Sequence, residues 1–221
     1  MNIDDLINEI LDHPEAPRVS ERIISTLNKE KAERRKFREW LKDNVKAEFI
    51  NGEIIMHSPV KRGHLKVNAH LMHLLQTHVA LNDLGEVSSE KALIGLTRND
   101  YEPDICFWEK ARTADFDDNT MVHPAPDFIV EILSKSTEKY DRGVKSIDYA
   151  KHGVSEYWLV SYLKKTIEKF VLRDEVFVLE KMYAAGEVIE SEAVAGFKIP
   201  VAAAFERAVF LEVNGRQYSG S

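Results

Sequence analysis

The chain has 221 residues, 44% hydrophobic and 30% charged, enough apolar material for one medium domain or for a domain with an appendage. A net charge of −7 excludes a broadly basic face that grips nucleic acid through its backbone, so any phosphate-binding basicity must be local. One cysteine excludes an internal disulfide or a cysteine-built zinc site, and no apolar run approaches the roughly 20 residues that span a bilayer.

Met1-Asn2-Ile3-Asp4-Asp5 is acidic and lacks the plan of a signal peptide, so the expected compartment is the cytoplasm. Residues 1–45 read as a helical extension. Asp12-His13-Pro14-Glu15-Ala16-Pro17 breaks two helical stretches, and Ser20 is the expected N-cap of a long polar helix reaching about Asn44. That helix mixes Lys29, Arg34, Arg35, Arg38, Lys42 and Lys46 with Glu30, Glu33, Glu39 and Asp43. It is either a solvated surface helix or a basic element near phosphate. Phe37, Trp40 and Leu41 give it an apolar stripe to dock.

The remaining 46–221 read as one domain. Asn51-Gly52 between two apolar stretches predicts a two-residue hairpin. Residues 61 to about 82 predict a largely buried helix carrying Leu65, Ala69, Met72, Leu75 and Val79, widened by Leu71 and Leu74. Its His70 and His73 sit one turn apart but lack a third zinc ligand, and are read as helix-face residues. About three strands follow between Gly85 and Trp108, with Cys106 as a buried small hydrophobe, then a solvated acidic turn through Asp115, Asp117 and Asp118. A central strand from Asp127 to Leu133, a helix from about Arg142 to His152 and a strand at Glu156–Val160 come next. Alternation from Thr166 to about Met182 predicts antiparallel strands, and a short helix near 201–208 closes the domain. The pattern is α+β or α/β, a mixed sheet flanked by helices.

Glu131 is a carboxylate inside the apolar strand Phe128-Ile129-Val130-Glu131-Ile132-Leu133, a cost that calls for a partner charge or a metal. Alternation puts Ile129, Glu131 and Leu133 on one face. Asp104 opens a second apolar strand, Ile105-Cys106-Phe107-Trp108. If the two strands are neighbours, Asp104 and Glu131 form a hard-oxygen site for a magnesium-type ion. Lys145, on the next helix, could point back to assist an attacking water, whereas Lys135 in the Ser-Lys-Ser-Thr turn points outward. The alternative is a buried ion pair of Glu131 with Lys145 or an arginine, without chemistry. Glu53 is either a third acid or a solvent-facing hairpin residue. His64 either orients the site or bonds locally at its helix start. Asp141 is the expected cap of the helix that carries Lys145.

Several stretches resemble the Uma-type restriction-endonuclease-like proteins of the PD-(D/E)XK nuclease superfamily. They are Glu102-Pro103-Asp104, Pro126-Asp127-x-x-x-Glu131-x-Leu133-Ser134, Tyr140-Asp141-x-Gly143-x-Lys145 and Gly153-Val154-x-Glu156-Tyr157-Trp158. Asn51-Gly52-Glu53 and His64 match the family's turn and helix-start histidine. The resemblance covers about residues 46–210. It implies a restriction endonuclease-like core, Mg²⁺ or Mn²⁺, and hydrolysis of phosphodiester bonds in nucleic acid, DNA first. It makes Asp104 and Glu131 the metal ligands and gives Lys145 the superfamily's lysine role. Leu133 stands where the superfamily pattern places that lysine, and Lys135 where the family commonly has proline. By the same analogy a homodimer is expected and a membrane association is not. A catalytically inactive binding or assembly module of this fold is the second expectation.

Overall fold

A computed structural model describes residues 3–41 and 45–219, with side chains to residue 217. The expected helix end at Asn44, with Lys42 and Asp43, lies outside the described residues. Helices α1 (Ile3–Leu11) and α2 (Ala16–Trp40) precede the body. Ser20 is not the cap. Helix α2 begins at Ala16 with Pro17 in its first turn, where a missing N–H costs nothing, so Ser20 sits one turn inside. The end of α2 is built into the body: Phe37 is buried against Phe49, with ring centroids 5.7 Å apart. Arg34 and Arg38 both fork onto the buried Asp100.

Strands β1 (Ala47–Ile50) and β2 (Glu53–Met56) form the expected hairpin, with Asn51 and Gly52 at φ 51° and 88°, the left-handed values an Asn-Gly turn supplies. Helix α3 (Arg62–Leu81) follows. It buries Val67, Leu71, Leu74, Leu75 and Val79, while Leu65 and Ala69, expected on the buried face, are exposed. Four short strands then appear where about three were expected: β3 (Gly85–Ser89), β4 (Leu93–Gly95), β5 (Asp100–Tyr101) and β6 (Ile105–Glu109). Strand β7 (Val122–His123) precedes the central strand β8 (Phe128–Ile132).

The expected helix over 142–152 is broken into α4 (Glu138–Tyr140), a wide turn at Asp141–Lys145 and α5 (Ser146–Lys151), because the backbone leaves helical values at Gly143. Strands β9 (Glu156–Ser161), β10 (Thr166–Arg173) and β11 (Val176–Ala184) complete the main sheet. The hairpin β12 (Val188–Glu190) and β13 (Lys198–Pro200) was not foreseen, its strands being too short to show alternation. The closing helix is two: α6 (Ala202–Phe205) and the longer α7 (Arg207–Ser219).

The main sheet runs β11-β10-β9-β8-β6-β3, with β8 and β9 parallel and the other pairs antiparallel. A second sheet runs β2-β1-β5-β4-β7. The period-2 alternation of β8 divides two cores. Phe128, Val130 and Ile132 pack with Leu71, Leu74 and Leu75 of α3, while Ile129 and Leu133 pack with Tyr149, Tyr157 and Ile94 on the other face. The fold is α+β, mixed sheets flanked by helices. Among the described residues no helix is long and apolar enough to cross a membrane.

Candidate metal centre

Strands β6 and β8 are antiparallel neighbours in the register Ile105↔Val130 and Cys106↔Ile129. Extending that register by one residue sets Asp104 opposite Glu131, on the face that also carries Cys106 and Ile129. The two acids are tied through the backbone: the Asp104 N–H donates to Glu131 Oε2 at 3.4 Å and the Ile132 N–H donates to Asp104 Oδ2 at 2.8 Å. Like charges placed opposite each other in a sheet repel, so positive charge must answer them.

Two ammonium groups supply it, and a histidine and a tyrosine add hydrogen bonds. Lys46 Nζ donates to Asp104 Oδ1 at 3.2 Å, and His64 Nε2 lies 3.1 Å from Asp104 Oδ2. Lys145 Nζ lies 2.9 Å from Glu131 Oε1, 2.8 Å from Glu48 Oε1 and 3.2 Å from Asp141 Oδ1. The Tyr149 hydroxyl donates to Glu131 Oε1 at 3.2 Å. Asp104, Glu131, His64, Glu48, Asp141 and Lys145 are all buried. A cavity of about 310 Å³ nonetheless opens between them, with Lys46, His64, Asp104, Glu131 and Lys145 among its walls.

The two acids sit in opposite electrostatic states. Burial would raise the Asp104 carboxyl, but His64, Lys46 and the Ile132 N–H outweigh it and hold it well below the usual carboxylate range. Glu131 is pushed up to about 8 by burial, which Lys145 only partly offsets against the charges of Asp141, Asp104 and Glu48. Burial lowers the Lys46 ammonium, and Asp104 and Glu131 raise it by more. Burial therefore favours the protonated form of Glu131 near neutral pH although Lys145 touches it.

The donor set fits a small hard cation. Among the described residues no group of three or more His, Cys, Asp or Glu is arranged to hold a metal ion by itself, so an ion at this place would need oxygens from water or substrate. Two carboxylates beside a water-sized cavity match an ion that keeps water and takes the rest of its oxygens from substrate. The Lys46 ammonium, held by Asp104 and in the field of Glu131 and Glu90, already occupies cationic ground there.

Asp104, Glu131, Lys145, His64 and Asp141 come together, and Glu53 does not: it is exposed at the start of β2, outside the cavity wall. Asp141 does not cap the segment that carries Lys145. Its backbone is already helical and its N–H bonds to Thr137 O, so the carboxylate is free to face Lys145. Lys46 is not on α2 but directly ahead of β1. Lys135 is exposed, as expected. His70 stacks on Phe210 at 4.3 Å and His73 bonds Asn214, so the helix-face expectation for both describes what they do. Cys106 is buried and its thiol is pushed up by burial and Glu131. Glu48 was missed, although Ala47-Glu48-Phe49-Ile50 carries the signal that singled out Glu131, a carboxylate within an apolar strand.

No curated protein matches the chain. Among solved structures it is similar to a protein from Anabaena variabilis ATCC 29413 described as "a putative nuclease belonging to DUF820". The two share 15% identity and superpose with a TM-score of 0.64, covering 76% of this chain and 94% of that one. That likeness carries the fold: a nuclease-like α+β core. The Uma2 family, described as "Putative restriction endonuclease", matches residues 34–202, from the last turns of α2 to the start of α6, and to this family the chain belongs.

Proposed function

We propose that the protein is a metal-dependent nuclease that hydrolyses phosphodiester bonds of nucleic acid, DNA in the first instance, at the centre built on Asp104 and Glu131. The observation that carries this reading is the pairing of those two buried acids across β6 and β8 beside a cavity. A bound Mg²⁺ or Mn²⁺ would polarise the scissile phosphate and lower the pKa of an attacking water. Asp104 and Glu131 would hold it. His64 and the Ile132 N–H fix the Asp104 carboxylate through its Oδ2, and Lys46 holds its Oδ1.

Lys46 and Lys145 divide the role that the superfamily gives to one lysine. Lys145 fixes Glu131, and to face the reacting phosphate it must release one of three carboxylates. Lys46 is partly exposed and has only Asp104 to release, so it is the cation nearer at hand for charge developing on the phosphate. A paired arrangement of two chains belongs to the same reading. The exposed Ile3, Ile7, Leu11, Ile23 and Ile24 of α1 and α2 offer apolar surface for it, and sedimentation checks it.

The test is cleavage of plasmid, single-stranded DNA and RNA by purified protein with Mg²⁺ or Mn²⁺. Cleavage is expected to vanish in Asp104→Ala and Glu131→Ala. Activity unchanged in both variants would overturn the assignment.

One observation favours a second reading, the inactive binding module: Lys145 is fully buried and triply engaged, while Leu133 occupies the strand position of the superfamily lysine. Titration calorimetry separates the two, since an inert site takes up no Mn²⁺ at millimolar concentration.

A further inference from the structure

A second cavity, also of about 310 Å³, adjoins the first and shares Ser58, Pro59, Val60, His64 and Ser134 with it. Its chemistry is the reverse of the acidic centre. Lys61, Lys135 and Lys164 line it. Its two carboxylates, Glu138 and Glu168, are both taken by Arg142, at 2.9 Å and at 2.7 and 2.8 Å. Lys61 and Lys135 form no ion pair among the described residues. In a chain of net charge −7 this is the local basic excess that phosphate contact requires.

Two further features point to what it holds. Tyr162 lines the cavity, partly buried against the main core, and its ring lies over Gly63, where an added Cβ would come within 2.6 Å of it. Beside it Leu163 is 72% exposed, an apolar surface left without a protein partner. The cavity also meets the start of the 20-residue helix α3, which has no side-chain cap and so presents unsatisfied N–H groups. Buried in the wall there, His64 has an unpartnered Nδ1.

Building on the nuclease reading above, we infer that this second cavity is a subsite for one unpaired nucleotide next to the scissile phosphate. Its phosphate lies among Lys61, Lys135 and the first turn of α3, and its base stacks on Tyr162. A base held in a duplex is stacked on both faces and cannot offer one to Tyr162, whereas single-stranded nucleic acid can. The enclosed volume is at the small end of ligand pockets, enough for a single nucleotide rather than a run of them. The substrate therefore enters as a single strand, or as an unpaired end or flap.

The test is fluorescence anisotropy with the full chain in EDTA, using labelled single-stranded DNA of about 12 nucleotides and the matching duplex. Tighter binding of the single strand is expected. Tyr162→Ala should weaken it about tenfold while Tyr162→Phe keeps it, the stacking surface being retained. Lys135→Glu, on an exposed turn whose substitution leaves the core alone, should weaken it about tenfold and flatten the salt dependence by about 0.7 in log–log slope. If both variants bind as wild type while metal-dependent cleavage persists, the subsite is wrong and the nuclease reading stands. Duplex bound more tightly than single strand, with Tyr162→Ala silent, overturns the subsite likewise. If wild type neither binds nor cleaves any of these nucleic acids, both readings fall.

Discussion

The Lys145 ammonium lies 2.8 Å from Glu48 Oε1, and through that contact the first strand of one sheet is joined to the turn that follows the central strand of the other. Glu48 Oε1 also accepts the Glu102 N–H at 3.0 Å, two residues ahead of Asp104. One carboxylate thus connects the lysine that fixes Glu131 to the segment that presents Asp104. The wide turn at Asp141–Lys145 makes this reach possible, since it turns Lys145 inward beside the carboxylate of Asp141.

Removing that ammonium should be costly. In Lys145→Met three buried carboxylates, Glu48, Glu131 and Asp141, lose their common cation, and such loss typically costs about 3–5 kcal/mol. Urea unfolding should show a lowered midpoint of that size at pH 7. A loss below about 1 kcal/mol would mean that the ammonium does not hold the three acids together.

The pH dependence of Glu48 has a defined sign. Burial alone would raise its carboxyl, but Lys145 and His57 bring it down to about 2. A depressed carboxyl stabilises the fold above its unfolded value of about 4.5 and loses that contribution as pH falls toward 2, about 3 kcal/mol in all. Glu48→Gln should therefore be clearly less stable than wild type at pH 7, with the gap roughly halved by pH 3 and closed only below pH 2. A gap independent of pH would show that the charge of Glu48 is not what stabilises it.

How much of this was legible in the residues varies with the kind of signal. Period-2 alternation gave the face that Glu131 shares with Ile129, and the Asn-Gly pair gave the hairpin. The pairing of Asp104 with Glu131 needed strands adjacent in space, which an apolar pattern suggests but cannot assign. Glu53 and Glu48 show the limit most plainly. Both are acids in one hairpin, and which of them reaches Lys145 depends on β1 lying between β2 and β5, a topology absent from local sequence. The break at Gly143 was hidden for a similar reason: a helical pattern over 142–152 does not reveal that one turn widens to aim a lysine. The hairpin β12–β13 has strands of three residues, too short for any period to register.

Metal and stability should be linked. With Mn²⁺ at about 100 times its dissociation constant the folded state gains about 2.7 kcal/mol, and Asp104→Asn should abolish that gain. Glu131→Gln is more informative. Lys145 keeps Glu48 and Asp141 in that variant, and the repulsion with Asp104 is relieved, so without metal the variant should match or exceed wild type in melting temperature. A loss of about 3 kcal/mol or more without metal would instead identify Glu131 as the partner of a structural ion pair.

The junction between the helical extension and the body gives the last expectation. Asp100 is fully buried and accepts hydrogen bonds from Arg34 and Arg38, whose guanidinium groups have no other carboxylate partner among the described residues. Phe37 packs beside them against Phe49. Helix α1 and the first half of α2, by contrast, bury no side chain, and the Glu30–Arg98 pair to the body lies just beyond that half. Removing residues 1–29 should therefore leave the melting temperature within a few degrees of wild type. Removal through residue 40 should destabilise the body by about 3–5 kcal/mol or more, because it orphans the charge of Asp100 and opens a Phe-sized gap above Phe49. Asp100→Ala in the full chain isolates the electrostatic part. If the longer deletion melts like the shorter one, α2 is an appendage along its whole length.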